Sequence, residues 1–444
     1  MRNEALRNIC AGFLVVSCNI RKRATVDGST FMGRHGTALI LAMCVQVAFI
    51  HAADWPQFRG PNRDGKSPET GLLKKWPEAG PRLVRTISGV GEGFSSPSIA
   101  GGRIYITGKV GGDLNIFCFD LAGEKIWEKT HGPAWTKSYP GARAAPVIDG
   151  DIFYVLSGLG RLAGYRTDNG EEVWGVDLVG TLGGRVPVWG YAESVLIDGE
   201  KVICTPGGEK TATFAALDKK SGRLLWTSGE VTERAEYASP ILIDYNEVRQ
   251  IVTMSRVGLI AVSPENGEII WRYNRPANRT TTEHFTANCN TPVYADGYVF
   301  EATGFQSRGG GAVRLKPTAT GIEAEAAWDT GELDCEHGGY VLVDGYIYTN
   351  DAKGWSCIEL KTGRKCWTGQ GPGKGSIIYA DGMVYCLGER GKMGLLEANP
   401  AAFKMTGLFE LPKGKGPCWT HPVISDGKLY LRWNDNLYVY DIKE

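Results

Sequence analysis

Eight times along the chain, a short run of β-branched and aromatic residues is followed by a tight turn and a second such run. The copies are "SSPSIAGGRIYIT" from Ser95, "AAPVIDGDIFYVL" from Ala144, "ESVLIDGEKVICT" from Glu193 and "ASPILIDYNEVRQIVT" from Ala238. They continue as "NTPVYADGYVFEA" from Asn290, "GGYVLVDGYIYTN" from Gly338, "GSIIYADGMVYCL" from Gly375 and "THPVISDGKLYLR" from Thr420. Their starts lie 37 to 52 residues apart. A period of this length means a repeat architecture, in which each unit buries its faces only against its neighbours. Asp-Gly supplies the positive φ angles of a type I′ hairpin, so each copy reads as two antiparallel strands.

A second frame follows in most copies. "ALDKKSGRLLW" (216–226), "AVSPENGEIIW" (261–271), "GYRTDNGEEVW" (164–174) and "CIELKTGRKCW" (357–367) each place Gly six residues after the first position and Trp four after that. "CFDLAGEKIW" (118–127) is one residue shorter. These read as third and fourth strands around a Gly turn. Four antiparallel strands per period is a propeller blade, and the recurrent Trp fills the gap between blades. The expectation is an all-β, eight-bladed propeller with Trp127, Trp174, Trp226, Trp271, Trp328 and Trp367 docking the blades. The last copy ends after three strands. "RLVRTIS" (82–88) has the length and alternation to complete it from the N-terminal side, with Arg85 where the Trp should stand. "VRLKPTATGIEAEAAW" in blade five and "LLEANPAAFKMTGLFEL" in blade seven are irregular.

Composition agrees with many short strands: 60 Gly and 13 Trp, with 43% hydrophobic and 22% charged residues. A formal net charge of zero excludes a general nucleic-acid binder. Eleven cysteines include no CxxC pair and no adjacent pair, so spacing supports no zinc site. Cys357 and Cys366 occupy slots held by Ala and Leu in the copy at 216–226, which favours two thiols over a disulfide. Residues 32–53 read as a signal peptide, with Arg34, an apolar stretch and a small-residue end near Ala52 and Ala53. Residues 1–31 are then an upstream extension, and 54–444 the propeller. A rival takes "VVSC" (15–18) as a lipoprotein signal with Cys18 as lipid acceptor. The expected location is periplasmic or extracellular, with no transmembrane span in the mature chain.

The Ala-x-Asp-x-x-Ser/Thr-Gly-x-x-x-Trp frame, clearest at 216–226, and the Asp-Gly hairpins resemble the quinoprotein-like, or PQQ-like, β-propeller family. "DWPQFRGPNRDG" (54–65) resembles the start of a secreted branch of it. The resemblance implies the propeller across residues 54–444. It leaves activity open, because quinone-dependent alcohol dehydrogenases and the non-catalytic lipoprotein B of the outer-membrane assembly machine share this fold. The dehydrogenases imply pyrroloquinoline quinone with calcium, under an adjacent Cys-Cys pair that this chain lacks.

Long connections, 130–143, 179–192 and 276–289, fall on one end of the propeller, where binding is expected. Residues just before each first strand should ring the channel mouth there: Arg143, Trp189, Glu236, Tyr237, His284, Glu336, His337, Lys374 and His421. The leading expectation is a non-catalytic binding or scaffold protein that holds a protein, peptide or glycan at this mouth, with no catalytic residue and no metal. The alternative is a quinone-dependent alcohol or sugar dehydrogenase. Cys335-Glu336-His337 could suggest a nucleophile, but sequence neighbours rarely meet in the required geometry.

Overall fold

A computed structural model describes residues 54–208, 212–276, 287–351, 353–412 and 414–444. These residues form eight four-stranded antiparallel blades, and a 3-10 turn at Phe305–Ser307 is the one helical element among them. No helix among them is long and apolar enough to cross a membrane. Blades 1 to 7 run in chain order over 98–133, 147–177, 196–227, 241–274, 293–330, 340–369 and 375–410. Blade 8 combines Val423–Ser425, Lys428–Trp433 and Asn436–Asp441 with Arg82–Ser88 as its outermost strand. The exchanged strand closes the ring, so no blade needs an outside partner for its circular order.

The hairpin between first and second strands varies in one respect. Asp296-Gly297, Asp344-Gly345, Asp381-Gly382 and Asp426-Gly427 both take positive φ, as type I′ requires. In blades 2 and 3 the Asp residues, Asp149 and Asp198, instead end the strand, and of each turn's two residues only Gly150 and Gly199 are positive. That is the pattern of a II′ turn, which needs positive φ only at its first central residue.

The Gly-to-Trp frame has a direct physical cause. The Trp174 ring of blade 2 lies on the turn of blade 3, and its indole N–H donates to Lys219 O at 2.9 Å. A Cβ on Gly222 in that turn would sit 2.6 Å from Trp174, and Gly222 has φ of +69°. Glycine is therefore required twice over. Trp127, Trp226, Trp328 and Trp367 donate in the same way to Asp168, Pro264, Leu360 and Asn399 carbonyls of the following blades. Trp271 departs, donating to Gln250 Oε1 within its own blade. At the closing seam Arg85 takes over the role and donates to Leu121 O of blade 1 at 2.8 Å. In blade 7 the slot is Gly407, and Trp76 from the N-terminal segment packs onto it.

Inner strands are joined across blade boundaries by short polar side chains. Ser96 and Ser98 donate to His421 O and Pro146 O, Ser194 accepts from Ala145 N, and Ser239 accepts from Ser194 N. Asn290, Asn350 and Ser376 make the corresponding links farther round. These buried hydroxyls and amides tolerate the interior because each is paired, whereas Thr291 Oγ1, at the repeat position of Ser194 and Ser239, is left without a partner. All eight cysteines of the described residues are free thiols, and Cys357 lies opposite Trp367 rather than Cys366.

Candidate functional site

Residues 54–67 thread the propeller axis. Trp55 bridges Ile99 of blade 1, and Pro56 O accepts from Ile148 N of blade 2. Arg63 donates to Ser194 O and Val195 O of blade 3 at 2.6 and 2.9 Å. Arg59 donates to Tyr340 O of blade 6 at 2.5 Å, and Lys66–Ser67 pairs in parallel with the inner strand of blade 7. Both guanidiniums are buried, and desolvation lowers both pKa values, that of Arg63 to about 10. They remain charged at neutral pH, satisfied largely by backbone carbonyls. The segment thus fills the axis, and its Phe58 lines the floor of a cavity above.

This cavity, about 300 Å³ in volume, lies at the end where the inner strands begin. The long connections supply Tyr139, Arg143, Trp189, Ala192, Ala287 and Cys289 to its wall. One repeat position dominates the rest. Counting three residues back from the third residue of each repeat copy, that is from Pro97, Pro146, Val195, Pro240, Pro292, Tyr340, Ile377 and Pro422, gives Phe94, Arg143, Ala192, Tyr237, Cys289, His337, Lys374 and Trp419. All but Lys374 line the cavity. The aromatic rings contact one another: Trp189 with Tyr237 at 5.7 Å, Phe94 with Trp419 at 5.1 Å, Tyr139 with Trp419 at 4.7 Å and His337 with Trp419 at 4.5 Å between centroids.

Of the residues expected at the mouth, Arg143, Trp189, Tyr237, Glu336, His337 and His421 line the cavity. Glu236 and Lys374 do not. Glu236 is buried, and its carboxylate accepts from Asn288 N at 3.2 Å, a link between blades 4 and 5. Lys374 stands behind Glu336 and binds its Oε1 at 2.8 Å. His284 lies outside the described residues. Sequence reasoning missed Phe58, Phe94, Phe305 and Trp419. Phe94 and Trp419 were legible in the repeat phase, whereas Phe58 depends on a threading that no local pattern announces.

The ionisable groups of the cavity are held in unreactive states. Burial pushes the Cys289 thiol well up. Cys335 is buried, donates to Gly339 O at 3.2 Å and is pushed up to about 11 by desolvation. Neither is a thiolate at neutral pH, so Cys335-Glu336-His337 forms no nucleophile. Desolvation lowers His337 to about 4 and His421 to about 3, leaving both neutral. His421 Nε2 faces His337 O at 3.0 Å and must donate to it, so Nδ1 is the bare nitrogen.

Glu336, His337 and Glu389 bring ligand atoms within 4.8 Å of one another. This donor set does not fit calcium, which takes six to eight oxygens. Lys374 already holds Glu336, and the two His337 nitrogens face Glu389 and Glu336 at 3.6 and 3.8 Å. The chain has no adjacent cysteine pair of the kind the dehydrogenases place over their quinone, and Glu336, His337 and Glu389 are the one cluster of three His, Cys, Asp or Glu ligands among the described residues.

Residues 112–369, more than half of the chain, match the family model described as outer membrane protein assembly factor BamB. The chain belongs to this PQQ-like propeller family. No curated protein matches it significantly. Among solved structures, BamB from Moraxella catarrhalis is similar at 15% identity and a TM-score of 0.57, over 82% of this chain and 98% of that one. Quinohemoprotein alcohol dehydrogenase from Comamonas testosteroni is similar at 12% identity and 0.57, over 87% and 80%. A europium-containing methanol dehydrogenase aligns at 10% identity and 0.54, over 88% and 98%. At such identities these likenesses establish the propeller fold that binding proteins and oxidoreductases share.

Proposed function

We propose that this protein is an exported, non-catalytic binding propeller that takes an aromatic group of its ligand into the axial cavity. The observation that supports this most is the phase of the repeat. Seven of the eight residues at one repeat position converge on a single cup lined by aromatic rings, with the threaded N-terminal segment as its floor. Rigid aromatic side chains give large contact area at low entropic cost. Neutral histidines, protonated thiols and a Lys-paired Glu336 favour holding a ligand over transforming one. The family's description as an assembly factor supports a ligand carried by or presented to other proteins. A glycan is the poorer fit, because about 300 Å³ is at the small end of ligand pockets, which run from roughly 300 to 1,000 Å³.

The test fills the cup. Ala192 lines it from blade 3, and Ala192→Trp would occupy its space. Benzyl alcohol, titrated while following tryptophan fluorescence and melting temperature, is expected to saturate with the unmodified protein and not with the variant. Equal response of both proteins would reject the cup as the binding site. A parallel titration with pyrroloquinoline quinone and calcium addresses the dehydrogenase alternative. A saturable, calcium-dependent rise in melting temperature there would replace the present reading with an oxidoreductase.

A further inference from the structure

The two walls of the cup differ in charge, and the difference selects a ligand. Arg143 projects from blade 2. Its Nη2 donates to Ser138 O and Tyr139 O at 3.0 and 2.7 Å, its guanidinium lies 5.5 Å from the Trp135 ring centroid, and its Nε has no acceptor. No carboxylate pairs with it among the described residues, and the groups whose fields reach it are the neutral Tyr237 and Cys289 across the cavity. Blade 6 stands opposite blade 2 in a ring of eight. From that side come Glu336, 24% exposed, and behind it Glu389, with Lys374 bound to Glu336 and Arg390 beside Glu389. Glu389 Oε1 and the Trp419 indole nitrogen have no closed hydrogen bond, although the indole N–H lies near enough to favour the carboxylate.

We infer that the ligand is a small aromatic monocarboxylate, its carboxylate on Arg143, its ring between Trp189, Tyr237 and Trp419, and a hydroxyl or amine donor at the far end toward Glu336. This rests on the reading of the cup as a binding site. A guanidinium with no carboxylate partner among the described residues gains most from an anionic acceptor, and Nη1, the terminal nitrogen not committed to Ser138 and Tyr139, can give a carboxylate a charge-assisted hydrogen bond. The far wall presents the Glu336 carboxylate, an acceptor that a hydroxyl or amine can donate to and a second carboxylate cannot. A molecule with acid groups at both ends can satisfy Arg143 but then sets its second carboxylate against Glu336.

Four probes separate these statements in isothermal titration of the purified protein: 4-hydroxycinnamate, cinnamate, cinnamamide and 4-carboxycinnamate. Cinnamate is expected to bind about 10- to 100-fold more tightly than cinnamamide, the worth of a charge-assisted hydrogen bond. The 4-hydroxy acid should bind more tightly still, and the diacid more weakly than cinnamate. Arg143→Gln should abolish the preference for cinnamate over the amide, with the amide still binding at an affinity lowered far less than that of the acid. Because the amide still binds, loss of the acid preference cannot come from unfolding. Should that variant fail to fold, the acid-amide pair on the unmodified protein decides. Equal binding of acid and amide, both blocked by Ala192→Trp, would overturn the charge assignment and leave the cup standing. Tighter binding of the diacid would overturn it as well. No binding of any probe would remove the cup reading itself, and this inference with it.

Discussion

Glu193 is 1% exposed, with one carboxylate oxygen accepting Thr205 N at 2.6 Å and the other without a partner. Desolvation raises its pKa to about 7, against the opposing pull of the Thr205 hydrogen bonds and of Arg63 in the axial segment. The folded state therefore holds this proton more tightly than the unfolded chain does. Stability from this group is full below the unfolded carboxyl value and falls as pH rises from about 4.5 through about 7. Glu193→Gln should flatten that slope. Denaturant titrations at pH 5 and pH 8 should show the unmodified protein losing on the order of 2–3 kcal/mol more than the variant across this interval. Equal losses would show that the carboxylate is better solvated than its burial implies. None of this was legible in the sequence, where Glu193 is one polar residue ahead of a strand. Its environment is made by Thr205 across the same blade and by Arg63, 130 positions earlier in the axial segment.

At the scale of the element, the Gly-to-Trp frame was readable because it serves a local need repeated in almost every blade. Trp174 docks on the turn of blade 3, and Gly222 leaves room for it. Gly222→Ala combines a left-handed φ with a contact at 2.6 Å, and should cost about 1–3 kcal/mol. Trp174→Ala should cost about 3–5 kcal/mol from a site that is 7% exposed. In the double variant the clash is gone and the φ strain remains, so the two costs should add to less than their sum. Full additivity by urea unfolding would mean that the ring and the turn do not touch. The sequence showed where the frame departs, at Arg85 and in blade seven, but not what fills the gap. Arg85 bonds across the closing seam from the Trp position that the sequence had marked, whereas Trp76 fills the slot over Gly407 from a segment some 330 positions earlier that no local pattern connects to it.

For the whole molecule, the axial segment is the part whose consequences reach farthest. The amides of Ile99, Ile148 and Tyr379 donate to Trp55, Pro56 and Gly65 carbonyls, tying blades 1, 2 and 7 to one strip of chain. Removing residues 54–67 should leave these three donors unmade and the two buried arginine sites vacant. Hydrogen exchange should then lose protection at these amides while outer strands such as Ile269–Asn274 keep theirs. Protection unchanged at all three would mean that water or neighbouring strands satisfy them, and that the segment only decorates the axis.

The sequence by itself determined the blade count, the four-strand order, the Gly and Trp roles and the closing strand Arg82–Ser88. Each is a short-range or periodic requirement: a turn that needs positive φ, alternation that buries one face, an edge that must be paired. It also pointed to the end of the propeller where the aromatic cavity lies, because long connections collected there. The tertiary structure alone decided that residues 54–67 fill the axis, that Phe58 becomes a floor, and that Arg143 faces Glu336 across a cup. Those relations join residues hundreds of positions apart through ring closure. A repeat pattern specifies each blade against its neighbour and carries no term for what meets across the centre.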